Sequence, residues 1–292
     1  MLYYLFNWLD SLDFPGAGVF QYISFRAAFS AITSLLIMLL FGKPFIRFIR
    51  RRQIGETVRQ LGLEGQSEKA GTPTMGGVLI LVAIIIPTLL FAQLDNIYVL
   101  IMLGTTAWLG LVGFVDDYIK VFKKDKRGLP GRFKVVGQVT LGLAVGLLVM
   151  FHPAISDHST LTTIPFVKDN ELDYAKIITW MGDWTQNWVW LLYVIIVILV
   201  VTAVSNASNL TDGLDGLATG IASVNGGALA ILAWLSGNVI MAGYLNIMYL
   251  PNIGELTVFI AAFVGATLGF LWFNTHPAEI FMGDTGSLAV GG

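Results

Sequence analysis

The sequence predicts an all-α, polytopic membrane helix bundle, and three observations carry that expectation. Of its 292 residues, 55% are hydrophobic and only 12% charged, with a mean hydropathy of +0.74, far from the mix of a water-soluble domain. Several apolar runs approach or exceed the ~18–20 residues that span hydrocarbon. Lys and Arg are gathered into two short loops, as membrane topology requires.

Taken in order, complete spans are expected at about 27–41, 75–92, 97–115, 135–151, 188–204, 214–235 and 256–273. An eighth begins near Ser287, inside which the sequence stops, so the chain reads as a fragment of a longer protein. The start, Met1-Leu-Tyr-Tyr, lacks the basic n-region of a cleaved signal peptide, so the first helix is expected to stay as an anchor. Seven of the 17 Lys and Arg follow the first span: Lys43, Arg47, Arg50, Arg51, Arg52, Arg59 and Lys69. Seven more follow the third: Lys120, Lys123, Lys124, Lys126, Arg127, Arg132 and Lys134. Both loops fall on one side by helix parity, so that side is cytoplasmic and the N-terminus is outside. The acidic, Trp-rich segment 152–187 then forms an outer loop that caps the bundle. With no Lys or Arg after Lys176, parity rests on 239–250, an apolar run too short to cross and placed as an outer interfacial segment. Cytoplasmic loops are expected at about 43–74, 116–134, 205–213 and 274–286, and residues 1–292 form one membrane domain. Cysteine is absent, which excludes disulfides and thiolate chemistry.

Carboxylates at a membrane edge are costly and functional by default. Five gather on the predicted cytoplasmic face: Asp116, Asp117, Asp212, Asp215 and Asp284. Asp116 and Asp117 end the third apolar run, facing the negative end of a helix dipole. Adjacent side chains diverge by about 100° on a helix. One is therefore expected to ligate or act as base while the other pairs with Lys120, Lys124 or Lys134. Asp212 suits an N-cap of the following helix, which leaves Asp215, with Gly213 and Gly216, unexplained. Asp284 could likewise merely cap the last helix, although the flanking glycines and Phe281 suit a diphosphate or metal beside a flat ring. Lys69 to Gly77 is a Gly/Pro-rich turn entering a helix, suited to a phosphate. Hard oxygen ligands with abundant Lys and Arg point to Mg2+ or Mn2+ and a phosphorylated substrate.

Four motifs carry a resemblance: Gly71-Thr-Pro-Thr-Met-Gly-Gly, Gly113-Phe-Val-Asp-Asp-Tyr, Asn209-Leu-Thr-Asp-Gly-Leu-Asp-Gly-Leu, and Gly269-Phe-Leu-Trp-Phe-Asn with Phe281-Met-Gly-Asp-Thr-Gly-Ser. In order and over most of the chain, they resemble the bacterial phospho-N-acetylmuramoyl-pentapeptide-transferase family, which makes lipid I. The resemblance implies Mg2+-dependent transfer of phospho-MurNAc-pentapeptide from UDP to undecaprenyl phosphate in the bacterial inner membrane, releasing UMP. It implies Asp284 as Mg2+ ligand and Asp116 as the base, with Asp117 beside it. Lys69, Thr74, Asn209, Asp212, Gly213, Leu214, Asp215, Asn274 and Phe281 would line the nucleotide pocket, while Lys120 and Lys134 would steer phosphates. It further implies ten spans, a homodimer, no nucleic-acid partner, and a His-rich cytoplasmic motif beyond residue 292. A truncated, inactive polypeptide is therefore also expected. The alternatives are a GlcNAc-1-phosphate transferase on the same lipid and a cation- or proton-coupled transporter. Transporters usually place carboxylates near the midplane, whereas these sit at helix ends.

Overall fold

The computed structural model describes residues 1–52, 72–123, 125, 127–153, 155, 160–163, 171–179, 182 and 188–292. The described residues form an α-helical bundle. In chain order its helices are α1 (Leu2–Asp10), α2 (Ile23–Arg52), α3 (Gly77–Phe91), α4 (Ile97–Phe122), α5 (Gly131–Phe151) and α6 (Tyr174–Thr179). They continue as α7 (Val189–Thr211), α8 (Leu217–Ser236), α9 (Val239–Leu245), α10 (Leu256–Asn274) and α11 (Gly283–Gly291). Between α5 and α6 lies a small antiparallel hairpin of β1 (Leu161–Thr163) and β2 (Glu171–Asp173). Six helices, α2, α4, α5, α7, α8 and α10, are long and apolar enough to cross a membrane, and α3 is apolar but shorter.

Several helices outrun their apolar stretches, because hydropathy marks the lipid boundary and not the end of backbone pairing. The 30-residue α2 is about 45 Å long at 1.5 Å per residue, well past the loop expected from residue 43. It persists because Ile46 and Ile49 stay buried against the core while Arg47, Arg50 and Arg51 face out. The segment expected as a loop at 205–213 is largely the last turns of α7. Ser205 donates to the Val201 carbonyl (2.7 Å) and Asn206 to that of Thr202 (2.7 Å), while Gln138 on α5 bridges the two side chains at 3.0 and 2.9 Å. Polar side chains satisfied this way carry no penalty for continuing a helix. The 239–250 segment holds only the seven-residue α9, followed by a 3-10 turn at Ile253–Glu255 that leads into α10.

Small residues draw the helices together, as expected where lipid removes the hydrophobic drive. Gly265 and Gly269 of α10 lie against α2 so closely that an added Cβ would sit 2.3 Å from the Ala31 carbonyl oxygen and 2.6 Å from Met38 Cβ. Ser30 and Ser34 of α2 donate to the Val258 and Ala262 carbonyls across the same seam, at 3.0 and 2.7 Å. Gly142 and Gly146 of α5 pack on Ile198 and Val194 of α7, where an added Cβ would lie 2.7 and 3.2 Å from their Cα atoms.

At one end of the bundle, Arg26 at the start of α2 forms a two-pronged, wholly buried ion pair with Glu255. Glu255 also accepts from the Gln93 N–H at 2.7 Å, and Arg26 donates to the Phe91 carbonyl at 3.1 Å. The polar motifs meet at the other end.

Candidate active site

The site is assembled from loops that pair with one another. The extended stretch before α3 meets the one before α11: the Phe281 N–H donates to Pro73, the Gly76 N–H to Phe281 and the Gly77 N–H to Met282, at 2.8–2.9 Å. Gly77 and Gly113 let three backbones touch, since a Cβ on either would lie 2.1 Å from α11 backbone atoms, Gly286 N and Asp284 O respectively. Asn274 is buried at the end of α10. Its carbonyl oxygen accepts from Gly216 N–H (3.1 Å) and Thr219 Oγ1 (3.0 Å), and its amide donates to Ile280 (3.0 Å). That one side chain ties the start of α8 to the approach to α11.

Asp116 and Asp117 do not end their helix, as the sequence suggested. α4 continues to Phe122, so the two side chains diverge as neighbours on a helix must. Asp116, with no solvent exposure, accepts from the Leu129 N–H at 2.7 Å and is ion-paired with Lys120 and, at 3.1 Å, with Lys134. Gly128 makes room for this loop with a φ of +62°, and a Cβ there would lie 2.6 Å from an Asp116 oxygen, a conformation and a space that only glycine fits. Asp117 turns the other way, onto the first turn of α11. It accepts from the N–H groups of Asp284 (3.1 Å) and Thr285 (2.8 Å) and from the Thr285 hydroxyl (2.5 Å). The lysines therefore belong to Asp116, and Asp117 is bound to a helix N-terminus.

Asp284 lies in the first turn of α11 but does not cap it. Its carboxylate is paired with Lys120 at 3.1 Å and with Lys134. Each lysine thus bridges Asp116 and Asp284. One oxygen from each of Asp116, Asp117 and Asp284 lies within 4.8 Å of the other two. Octahedral Mg2+ holds oxygens about 2.1 Å away, so opposite ligands are about 4.2 Å apart. Adjacent ligands are about 3.0 Å apart, so the three side chains would draw closer around such an ion. Their hard-oxygen chemistry and burial fit it.

Asp212 is the C-cap of α7, its N–H donating to Ser208 at 3.2 Å, and is not the N-cap of α8, a position held by Gly216 at φ +74°. The reversal follows from α7 running seven residues beyond Val204. Asp212 faces the Gly283 N–H, and burial followed by the Asp284 and Asp117 charges pushes its carboxyl up to about 7. An acid whose folded pKa is raised costs stability as pH climbs from its unfolded value near 4 to the folded value. In the absence of divalent cations, Asp212→Asn is therefore expected to raise the melting temperature by several degrees at pH 8 and by about a third as much at pH 5. A melting series across that range checks this, and an equal shift at both values would contradict the assignment.

Asp215 is turned to the 276–278 loop, contacting His276 Nδ1 at 3.1 Å and accepting from the Ala278 N–H at 3.4 Å. Thr74 and Phe281 are half-buried on the paired loops. Thr74 stands beside Gly283, where a Cβ would lie 2.8 Å from its hydroxyl. Asn209 is half-buried on the last turn of α7, and Gly213 and Leu214 are exposed on the turn that follows. Lys69 and Lys124 lie outside the described residues. Sequence reasoning passed over Thr285 and the Leu129 N–H. The first looked like filler between Asp284 and Gly286, and a backbone donor leaves no residue-type signal.

Comparison with known proteins points one way. Residues 99–292 match the family model "Glycosyl transferase family 4", and residues 69–81 match "Phospho-N-acetylmuramoyl-pentapeptide-transferase signature 1". Proteins named phospho-N-acetylmuramoyl-pentapeptide-transferase are similar over the whole chain. The Flavobacterium johnsoniae protein is 54% identical with 78% of its length covered, that of Parabacteroides distasonis 55% with 75%, and that of Bacteroides fragilis 52% with 75%.

Proposed function

Because the chain belongs to the phospho-N-acetylmuramoyl-pentapeptide-transferase family of phosphoglycosyl transferases, we propose that it makes lipid I. In this reading it transfers phospho-MurNAc-pentapeptide from UDP-MurNAc-pentapeptide to undecaprenyl phosphate and releases UMP, in the bacterial inner membrane. The observation that carries the reading is the pair of lysines bridging Asp116 and Asp284 at the end where all four polar motifs meet. The exposed basic residues Lys43, Arg47, Arg50 and Arg51 end α2, and Lys120 and Lys134 border the loop between α4 and α5. Their enrichment supports a cytoplasmic active face, and the family supports a homodimer.

The chemistry needs positioning, charge neutralisation and a base. Lys120 and Lys134 exchange a carboxylate partner for phosphate oxygens and hold donor and acceptor phosphates together. Asp116 takes the proton of the lipid phosphate. An oxygen of that phosphate then attacks the phosphorus bearing the sugar, the bond from this phosphorus to the bridging oxygen breaks, and UMP leaves with that oxygen. Mg2+, held by Asp284 beside Asp116 and Asp117, would neutralise the diphosphate. Thr74, Asp212, Asp215, Asn274 and the Phe281 ring form the nucleotide side, with Asn209, Gly213 and Leu214 at its edge.

Attack is direct in this reading. Asp116 and Asp117 each accept hydrogen bonds from backbone N–H groups, which suits a base and a structural carboxylate better than a nucleophile. Labelled UMP should therefore not exchange into UDP-MurNAc-pentapeptide when lipid is withheld, and exchange at a rate near turnover would require a covalent intermediate. The activity itself is tested on the protein expressed at its full genomic length. UMP release should need the nucleotide sugar, undecaprenyl phosphate and Mg2+ together. Consumption of UDP-GlcNAc instead would reassign the sugar, and inertness toward both would defeat the reading.

A further inference from the structure

Helix α11 starts without a capping side chain of its own, although its first N–H groups need partners. The partner comes from another helix. Asp117 of α4, itself buried, accepts from two α11 N–H groups and from the hydroxyl of Thr285, a residue with no solvent exposure. A carboxylate at a helix N-terminus is electrostatically favoured. The same helices touch through their backbones one turn earlier, at Gly113, where a Cβ would lie 2.1 Å from the Asp284 oxygen. Asp284 sits between these two points of attachment, and its carboxylate is thereby directed to Lys120, Lys134 and Asp116.

We propose that Thr285 is a positioning residue: its hydroxyl latches Asp117 to α11 and so fixes the Asp284 carboxylate where a divalent cation and the two lysines share it. Thr285 touches no substrate and acts through Asp117 and Asp284. Losing the hydroxyl removes one of three donors to a buried carboxylate. Asp117 then keeps only its two backbone donors, and its hold on the first turn of α11 loosens. The proposal rests on reading Asp284 as a cation ligand.

Mn2+ titrated into the full-length protein without substrates, followed by the electron paramagnetic resonance signal of free Mn2+, tests it apart from turnover. Partners that orient ligands typically contribute about 10- to 100-fold in metal affinity. Thr285→Val, which keeps the shape and removes the donor, should weaken Mn2+ binding by that factor and lower kcat, with the KM for the nucleotide sugar within about twofold. Thr285→Ser should restore both. Wild-type affinity in Thr285→Val overturns the proposal, as does a Ser variant as impaired as Val, because packing of the methyl group would then be what matters. If Thr285→Val does not fold, Thr285→Cys, with its weak S–H donor, should give intermediate affinity, and unchanged affinity there also overturns it. Absence of Mn2+ binding by the unsubstituted protein removes the latch's purpose. An unsubstituted protein that binds Mn2+ but never releases UMP defeats the proposed function alone and leaves the latch to be judged by the binding series.

Discussion

Asp284→Asn is expected to lower kcat by about a thousandfold or more, the scale associated with losing a pre-organised charge at a phosphoryl-transfer centre. Two effects combine. The carboxylate offers an oxygen to the three-acid cluster, and an amide in its place is a poor ligand for a hard cation. It also balances Lys120 and Lys134, which would otherwise turn wholly to Asp116 and hold the base in an unproductive pairing. The folded protein should survive the change, because Lys120 and Lys134 keep their ion pairs with Asp116. Turnover measured as UMP release, beside a melting curve in the same detergent, separates the two effects. Turnover within about tenfold of wild type would remove Asp284 from the reacting centre.

The helix bundle and the gathering of its acids at one end were legible in the sequence because both follow from coarse physics. Apolar runs mark the helices, and their alternation brings the polar motifs to a common end. What lay beyond reach was the direction of individual side chains. Asp116 and Asp117 are indistinguishable in the string Val-Asp-Asp-Tyr, and only the loop carrying Leu129 and the start of α11 tell them apart. Asp212 looked like the N-cap of α8 because hydropathy ends α7 at Val204, whereas Gln138, a residue on a different helix, lets the polar turns continue. Asn274 gave no sign in the sequence that its side chain joins Gly216, Thr219 and Ile280. Each difference arises from a contact between segments far apart in sequence, which local pattern does not encode.

The largest expected effect on stability lies at the opposite end of the bundle, in the buried pair Arg26–Glu255. Arg26→Ala should cost about 3–5 kcal/mol, since it strands a buried carboxylate without its partner, and Glu255→Ala should cost a similar amount. Arg26→Lys should not restore wild-type stability, because an ammonium cannot reproduce a guanidinium's two-pronged contact and the Phe91 carbonyl would compete for it. Replacing both charges, as in Arg26→Met with Glu255→Leu, removes the desolvation problem altogether. Buried pairs treated this way are often near neutral or better. Here the recovery should be incomplete, because Gln93 N–H and the Phe91 carbonyl lose their partners with the pair. Each buried group left unpaired costs roughly 1–3 kcal/mol. The ordering single variants, then double variant, then wild type, read from unfolding in detergent, is therefore the diagnostic result. A double variant no more stable than Arg26→Ala would mean that the two charges are not coupled. α2 and α10 would then be held by the Gly265 and Gly269 packing instead.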